Sequence, residues 1–432
     1  MLTEWEVMKI IHITSTYSPV LGGAQAHIQA ISEGLASRGH DVTVVTANVS
    51  SAWDEWQGNF AGLPPYQVIN GVKVVRFRPD GGLPGVILDR WCRMRGGYRS
   101  LSLLLGREGV GLISTRPLLV QIIPYLLRSK ADVVAVINWY SPVAYYPYLA
   151  KKFTRFRFVG IPLFHTEGAW AKRLIYKKML GACDAVIVNT SHEAQFVQQQ
   201  GATRVEVAGV GVHPSSFKNL DGDRIRARYG LGRFPVVGFV GRQDPGKGAI
   251  RLLGAMDTVW KWNPEVRLVL AGPSPPTANK KIEDLIQRLS DAERQRIVRI
   301  REFPENEKAS IFDALDVFVM PSTEESFGIA YLEAWMCRKP VIGARIGSTQ
   351  CVIEDGVDGL LVEPEDHADI ARAIIEILSD DKKRERMGAM GHDKTLARFT
   401  WEKVTDKIET LYHELVSESL WLPIKTAATG TE

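Results

Sequence analysis

A chain of 432 residues is too long for a single hydrophobic core, so two domains are the first expectation. Its composition is that of an ordinary globular protein, 45% hydrophobic and 24% charged, with no low-complexity tract. The net charge of +4 is uneven: residues 1–205 hold 22 Lys and Arg against 13 Asp and Glu, while the remainder is acidic. A basic half points to an anionic partner such as phosphates or acidic lipid. The recognised nucleic-acid modules are absent from the sequence, so no nucleic acid is expected. The four cysteines, Cys92, Cys183, Cys337 and Cys351, lack the paired spacing of zinc or redox sites and fit a reducing cytoplasm. The first residues are acidic where a signal peptide is basic, and Met1 and Met8 both read as possible starts. Uninterrupted apolar runs of membrane-spanning length are missing, so any membrane contact is expected to be peripheral.

Lys9–Ile13 reads as a first strand, followed by Gly22 and Gly23, an amphipathic helix, and a second strand DVTVVTA. This βαβ start puts a glycine loop at the edge where open α/β sheets bind ligands. Gly22 and Gly23 permit close backbone approach and expose helix-start amides to anions. The G-x-G-x-x-G fingerprint is absent, which disfavours a dinucleotide. Val72–Phe77 reads as a strand after the turn Asn70-Gly71. Between Asp80 and Lys130, Arg90, Arg93, Arg95, Arg99 and Arg107 interleave with apolar residues. Such a segment either lies on an anionic bilayer or flanks an ordinary packed helix. Val133–Ile137 is a strand, and the aromatics that follow read as packing. Phe156–Leu163 is the next strand and delivers His165 at its C-terminal end. Lys172, Arg173, Lys177 and Lys178 follow on a helix, and Asn189-Thr190-Ser191 reads as the cap of another.

The second domain starts near Phe234 with strand, loop and helix. Arg242 and Lys247 stand on that loop beside Gly241, Gly246 and Gly248, where they can meet a diphosphate. The spacing Gly241-x4-Gly246-Lys247 imitates a P-loop, but Gly248 stands where Ser or Thr would ligate magnesium. An NTPase is therefore an alternative weakened by one residue. Asp221-Gly222-Asp223 has the Asp-x-Asp form of a metal pair, and equally that of a helix cap and first turn. The densest stretch is Asp316–Ile342: strand Val317–Met320, a small-residue loop, and a helix with Ile329, Tyr331, Leu332, Trp335 and Met336 at helical spacing. Arg338-Lys339-Pro340 stops that helix. Glu325 lies in the loop and Glu333 on the helix, with early helical amides around Ser326, Phe327 and Gly328 available to oxygen atoms.

The string PSTEESFGIAYLEAWMCRKPVI closely resembles the Glu-x7-Glu signature of retaining, nucleotide-sugar-dependent glycosyltransferases of the GT-B fold, specifically family 4 (group 1). The resemblance runs from Lys9 to Leu415 and is loosest between Asp80 and Lys130. It implies an α/β protein in which two Rossmann-like parallel-sheet domains face each other across a cleft. The expected division is 1–205, a linker at 206–233, and 234–402, with a helix at about 403–420 packing back on the first domain. It also implies a site. Arg242 and Lys247 grip the nucleotide phosphates, with Gly22 and Gly23 nearby. Glu325, with Ser326, Phe327, Gly328 and Ile329, holds the donor sugar, Glu333 the ribose, and His165 faces the sugar from the opposite domain. The implied catalytic group is His165, Arg242, Lys247 and Glu325. The implied reaction moves a hexose, with retention and without metal or cofactor, from a UDP- or GDP-sugar to a glycan or lipid-linked acceptor. Cell-envelope synthesis at the cytoplasmic side of a membrane is the expected setting. His213 stands where the family usually has aspartate, so nothing is carried to that position. A GT-B epimerase shares the fold without this Glu-x7-Glu context.

Overall fold

The structure is a computed structural model that describes residues 6–20, 22–51, 54, 59–79, 100, 103, 117–139, 141–166 and 173–420. The basic stretch containing Arg90, Arg93, Arg95, Arg99 and Arg107 lies outside these residues, as does Lys172.

Fourteen strands among the described residues form two sheets. The first contains β1 (Lys9–Ile13), β2 (Asp41–Ala47), β3 (Tyr66–Ile69), β4 (Val72–Phe77), β5 (Val133–Ile137), β6 (Arg157–Ile161), β7 (Ala185–Val188) and β8 (Val205–Val207), in the order β3-β4-β2-β1-β5-β6-β7-β8. The second contains β9 (Val236–Val240), β10 (Arg267–Ala271), β11 (Ile297–Ile300), β12 (Val317–Met320), β13 (Val341–Ala344) and β14 (Gly359–Val362), in the order β11-β10-β9-β12-β13-β14. Central strands such as VVAVI in β5 and VVGFV in β9 are buried along their whole length. Helices cover both faces of a parallel sheet, so such strands carry apolar residues continuously rather than in alternation. In each sheet the order reverses beside the first strand, at β2-β1-β5 and at β10-β9-β12. These switch points open a crevice at the strands' C-terminal ends, and the two crevices face each other.

The helices used below are α1 (Gly23–Ser37), α2 (Ser191–Gln199), α3 (Gly222–Arg228), α4 (Ala249–Trp262), α5 (Lys308–Asp313), α6 (Ile329–Met336), α7 (Asp381–Arg398) and α8 (Trp401–Leu420). Their caps are readable in the sequence: Thr190 accepts the Glu193 N–H, and Asp380 accepts the Lys383 N–H.

Val72–Phe77 is the expected strand, and the expected turn before it, Asn70 (φ 48°) and Gly71 (φ 82°), closes a hairpin with β3, which pairs antiparallel to β4. A pair of left-handed residues suits the twist of a tight hairpin. The expected interdomain linker, 206–233, carries regular structure of its own. Val207 still belongs to β8, and α3 is fastened to the second domain by Arg226 on Asp316 (2.8 Å) and by the Gly222 N–H on Asp313 (3.0 Å). Asp221 caps α3 by accepting the Arg224 N–H, the cap reading of Asp221-Gly222-Asp223.

After α7 the chain returns to the first domain. Arg38 binds Asp406 (2.6 Å), Arg204 binds Glu418 (2.7 Å), and buried His12 meets the Tyr412 hydroxyl (3.2 Å). One apolar cluster covers one face of the first sheet; a second runs from its other face, through Ile408, Leu411 and Tyr412 of α8, into the core of the second domain.

Candidate active site

The loops after β9 and β12 meet at the second domain's switch point. The β9 loop turns through Pro245–Lys247 into Gly248, which has φ 94°. A Cβ at Gly248 would overlap the Pro321 carbonyl oxygen, so only glycine lets the two loops approach this closely. The Thr323 N–H (2.8 Å) and the Ser322 hydroxyl (3.1 Å) both donate to the Gly246 carbonyl. The result is that Lys247 Nζ lies 2.8 Å from Glu325 Oε2 and 3.2 Å from the Glu324 carbonyl. The Glu325 carbonyl in turn accepts from the Ser348 hydroxyl. Gly328 (φ 96°) begins α6, and Phe327 is buried with its ring edge-on to Phe399. Phe327 therefore anchors the loop through its side chain and leaves only its backbone to face the crevice. Ser326 and Ile329 are half-buried beside it.

Glu333 sits one turn into α6, where Lys308 Nζ approaches its Oε1 to 2.6 Å. Burial pushes the Glu333 carboxyl above its usual range, against the pull of Lys308. Burial alone would lower the Lys308 ammonium, but Glu333 and Glu305 hold it above the ordinary lysine value. Arg242 is on the expected loop, but its side chain is 71% exposed and its guanidinium pairs with Asp244 (2.8 Å) rather than with the Lys247–Glu325 pair.

The first domain supplies the opposite wall. Leu163 (φ 55°) turns the chain after β6, and His165 Nδ1 comes within 4.0 Å of Glu324 Oε2. The loop is held by Glu193 of α2, whose carboxylate accepts the N–H groups of Phe164 (2.8 Å) and Asn189 (3.0 Å). Burial raises the Glu193 carboxyl to about 7, the two N–H groups opposing. Thr166 Oγ1 lies 2.9 Å from His192 Nε2, and the His192 ring abuts Gly347 of the second domain. A Cβ placed on Gly23 would lie 3.8 Å from Ile329 Cδ1, so the β1 glycine loop also faces the α6 start. Lys247, Glu325, His165, Gly23 and Ile329 thus line one cleft, with Glu333 deeper along α6.

Two family profiles match the chain: "Glycosyltransferase Family 4" over residues 21–216 and "Glycosyl transferases group 1" over residues 221–394. The chain belongs to the family 4 glycosyltransferases. This glycosyltransferase is 29% identical over 319 residues to a D-inositol 3-phosphate glycosyltransferase of Stackebrandtia nassauensis, a match covering 71% of this chain and 70% of that protein. Its fold is that of sucrose-phosphate synthase from Thermosynechococcus elongatus (TM-score 0.72, 22% identity, 95% of this chain and 99% of that one). It is also that of Anabaena HepE solved with UDP and glucose (TM-score 0.70, 20% identity, 94% and 99%). These are GT-B structures.

The NTPase and epimerase readings are not favoured for this glycosyltransferase. Lys247 is engaged with a carboxylate, and glycine follows it where magnesium would need a hydroxyl. Among the described residues, His40, Glu409 and His413 are close enough to hold a metal ion. Yet His40 Nδ1 accepts the Met8 N–H, which leaves the ring proton on Nε2, pointing at Glu409 Oε1 (2.9 Å). A protonated nitrogen cannot ligate, and Arg38 takes the other Glu409 oxygen. This cluster ties α8 to the first domain. No helix among the described residues is long and apolar enough to cross a membrane.

The sequence reading missed Lys308, Glu324, Ser348, His192 and Glu193. Glu193 had a signal: Thr190-x-x-Glu193 is the spacing of a capping box. The others meet the site only through tertiary contacts.

Proposed function

We propose that this glycosyltransferase moves a hexosyl group from a nucleoside-diphosphate sugar, with retention and without metal, to a phosphate-bearing acceptor, soluble or lipid-linked. The observation that carries the donor half is the Lys247–Glu325 pair, 2.8 Å apart where the β9 and β12 loops cross. A diphosphate entering there meets the Lys247 ammonium at a helix-start loop and releases Glu325 to accept from sugar hydroxyls. Fixed positive charge on a leaving diphosphate lowers the barrier because the developing charge meets a group already in place. Arg242 adds to that charge once it leaves Asp244. Glu333 takes the ribose, and His165 hydrogen-bonds the sugar from the facing domain. The acceptor half rests on the basic balance of residues 1–205 and on the phosphate in the name of the Stackebrandtia relative. Work on cell-envelope glycans at a membrane face is one setting for such an acceptor.

A thermal-shift screen against UDP-, GDP- and ADP-sugars, with ATP–Mg as rival, tests the donor half. Stabilisation by one nucleotide sugar, lost in Lys247→Ala, is the expected result, since a ligand that binds only the native state raises its stability. Stabilisation by ATP–Mg alone sinks the proposal. Comparing phosphorylated with unphosphorylated polyols in a transfer assay, with and without EDTA, tests the acceptor and the metal independence.

A further inference from the structure

Lys308 has no place in the Glu-x7-Glu signature, yet it supplies the cation nearest to one of the signature's two carboxylates. It opens α5, which follows the loop after β11, and its Nζ lies 2.6 Å from Glu333 Oε1 and 3.6 Å from Glu305. The Glu333 and Lys308 side chains are 14% and 28% exposed, so the pair is largely withdrawn from solvent without being sealed in the core. Among the described residues, no hydrogen bond is made to the second Glu333 oxygen. A carboxylate standing alone would take both hydroxyls of a vicinal diol as donors. Here one oxygen is occupied by an ammonium, and what faces the ligand is an acceptor beside a donor.

We infer that Lys308 and Glu333 together read the ribose 2′,3′-diol: Glu333 accepts from one hydroxyl while Lys308 donates to the oxygen of its neighbour. This rests on the reading that Glu333 takes the ribose, and it deepens that reading to a substrate class. Removing one hydroxyl leaves a half-buried charged group without its hydrogen bond, and such losses discriminate strongly against the smaller analogue. Donors built on ribonucleoside diphosphates are accepted; those built on deoxynucleosides, deoxythymidine diphosphate sugars included, are rejected. Lys308 is a specificity-determining residue for the donor.

The test is titration calorimetry on the full chain with UDP, GDP and ADP, each beside its 2′-deoxy and 3′-deoxy form. For the base that binds, the wild type is expected to prefer the ribonucleotide by about tenfold or more, the worth of a hydrogen bond to a charged group. Lys308→Met should bring that ratio to within about threefold, and Lys308→Arg should keep most of it. Equal weakening of ribo and deoxy forms in Lys308→Met overturns the proposal, because a residue that only props α5 cannot tell the two sugars apart. Glu333→Gln separates the layers. If its ratio falls and that of Lys308→Met does not, the ribose reading stands and the Lys308 proposal fails. If neither falls, the ribose reading fails with it. Lys308→Gln replaces the Met variant if circular dichroism shows the latter unfolded.

Discussion

Gly248 and Glu193 each hold a loop of the site in place without being placed to touch a donor. At Gly248 the φ of 94° and the neighbouring Pro321 carbonyl leave no room for a Cβ. Gly248→Ala should cost about 1–3 kcal/mol, the usual cost of a strained backbone at a functional site. It should also part the β9 and β12 loops, so the thermal shift given by the donor shrinks more than the melting temperature does. Glu193 carries a pH signature. Its carboxyl, raised by burial from 4.5 to about 7, keeps its proton in the fold after the unfolded chain has lost its own. The folded state then binds more protons, so this residue's contribution to stability falls as pH rises between those values. Glu193→Gln should gain on the wild type in melting temperature between pH 5 and pH 8; a constant difference across that range would contradict it. At this scale the sequence was legible wherever chemistry and local spacing coincide: Lys247 on a glycine loop, Glu325 and Glu333 in one signature. It was silent on Lys308, which precedes Glu333 by 25 positions on another helix. Arg242 shows the intermediate case, in which the loop position was readable and the partner, Asp244, was not.

Among the elements, α2 links the two walls of the cleft. Its cap holds the His165 loop through Glu193, and its His192 touches both Thr166 and Gly347, whose neighbour Ser348 holds the Glu325 carbonyl. A Cβ on Gly347 would overlap the His192 ring, so Gly347→Ala must push that ring off Thr166 or hold the domains apart. The expected phenotype is a fall in turnover with nucleotide affinity nearly unchanged, since the nucleotide contacts proposed above, Lys247 and Glu333, lie on the second domain. Removing the ring removes the conflict, so His192→Ala should restore part of the loss in the double variant. Residues in contact are where such non-additivity is found. Strand and helix identities were readable from continuous apolar runs and caps, as at β5, β9 and Thr190. β3 was not, because YQVI is almost wholly exposed and shows neither alternation nor a buried run. α3 was not either: its place is set by Arg226 on Asp316, a partner 90 residues away.

For the whole molecule, the crossing of α8 decides what counts as a domain. Val404, Ile408, Leu411, Tyr412 and Leu415 are buried, and each such side chain is worth about 1.5–3 kcal/mol. Their sum rivals the full stability of a typical domain, about 5–15 kcal/mol. Ending the chain at residue 400 should therefore unfold the first domain while the second keeps its structure. Soluble yield and dye binding to exposed apolar surface measure this directly. The two-sheet architecture was legible from the two βαβ-like starts, whereas the placement of α3 with the second domain needed the folded molecule. The same crossing sets a timetable during translation. The first sheet leaves the ribosome early but waits for α8, whose first residue, Trp401, follows the end of β8 by nearly 200 positions. At about 5–20 residues per second this is a delay on the order of ten seconds or more. During that interval the unfinished flank of α1 stands open on the nascent chain, and the half of the enzyme made second is the first to be complete.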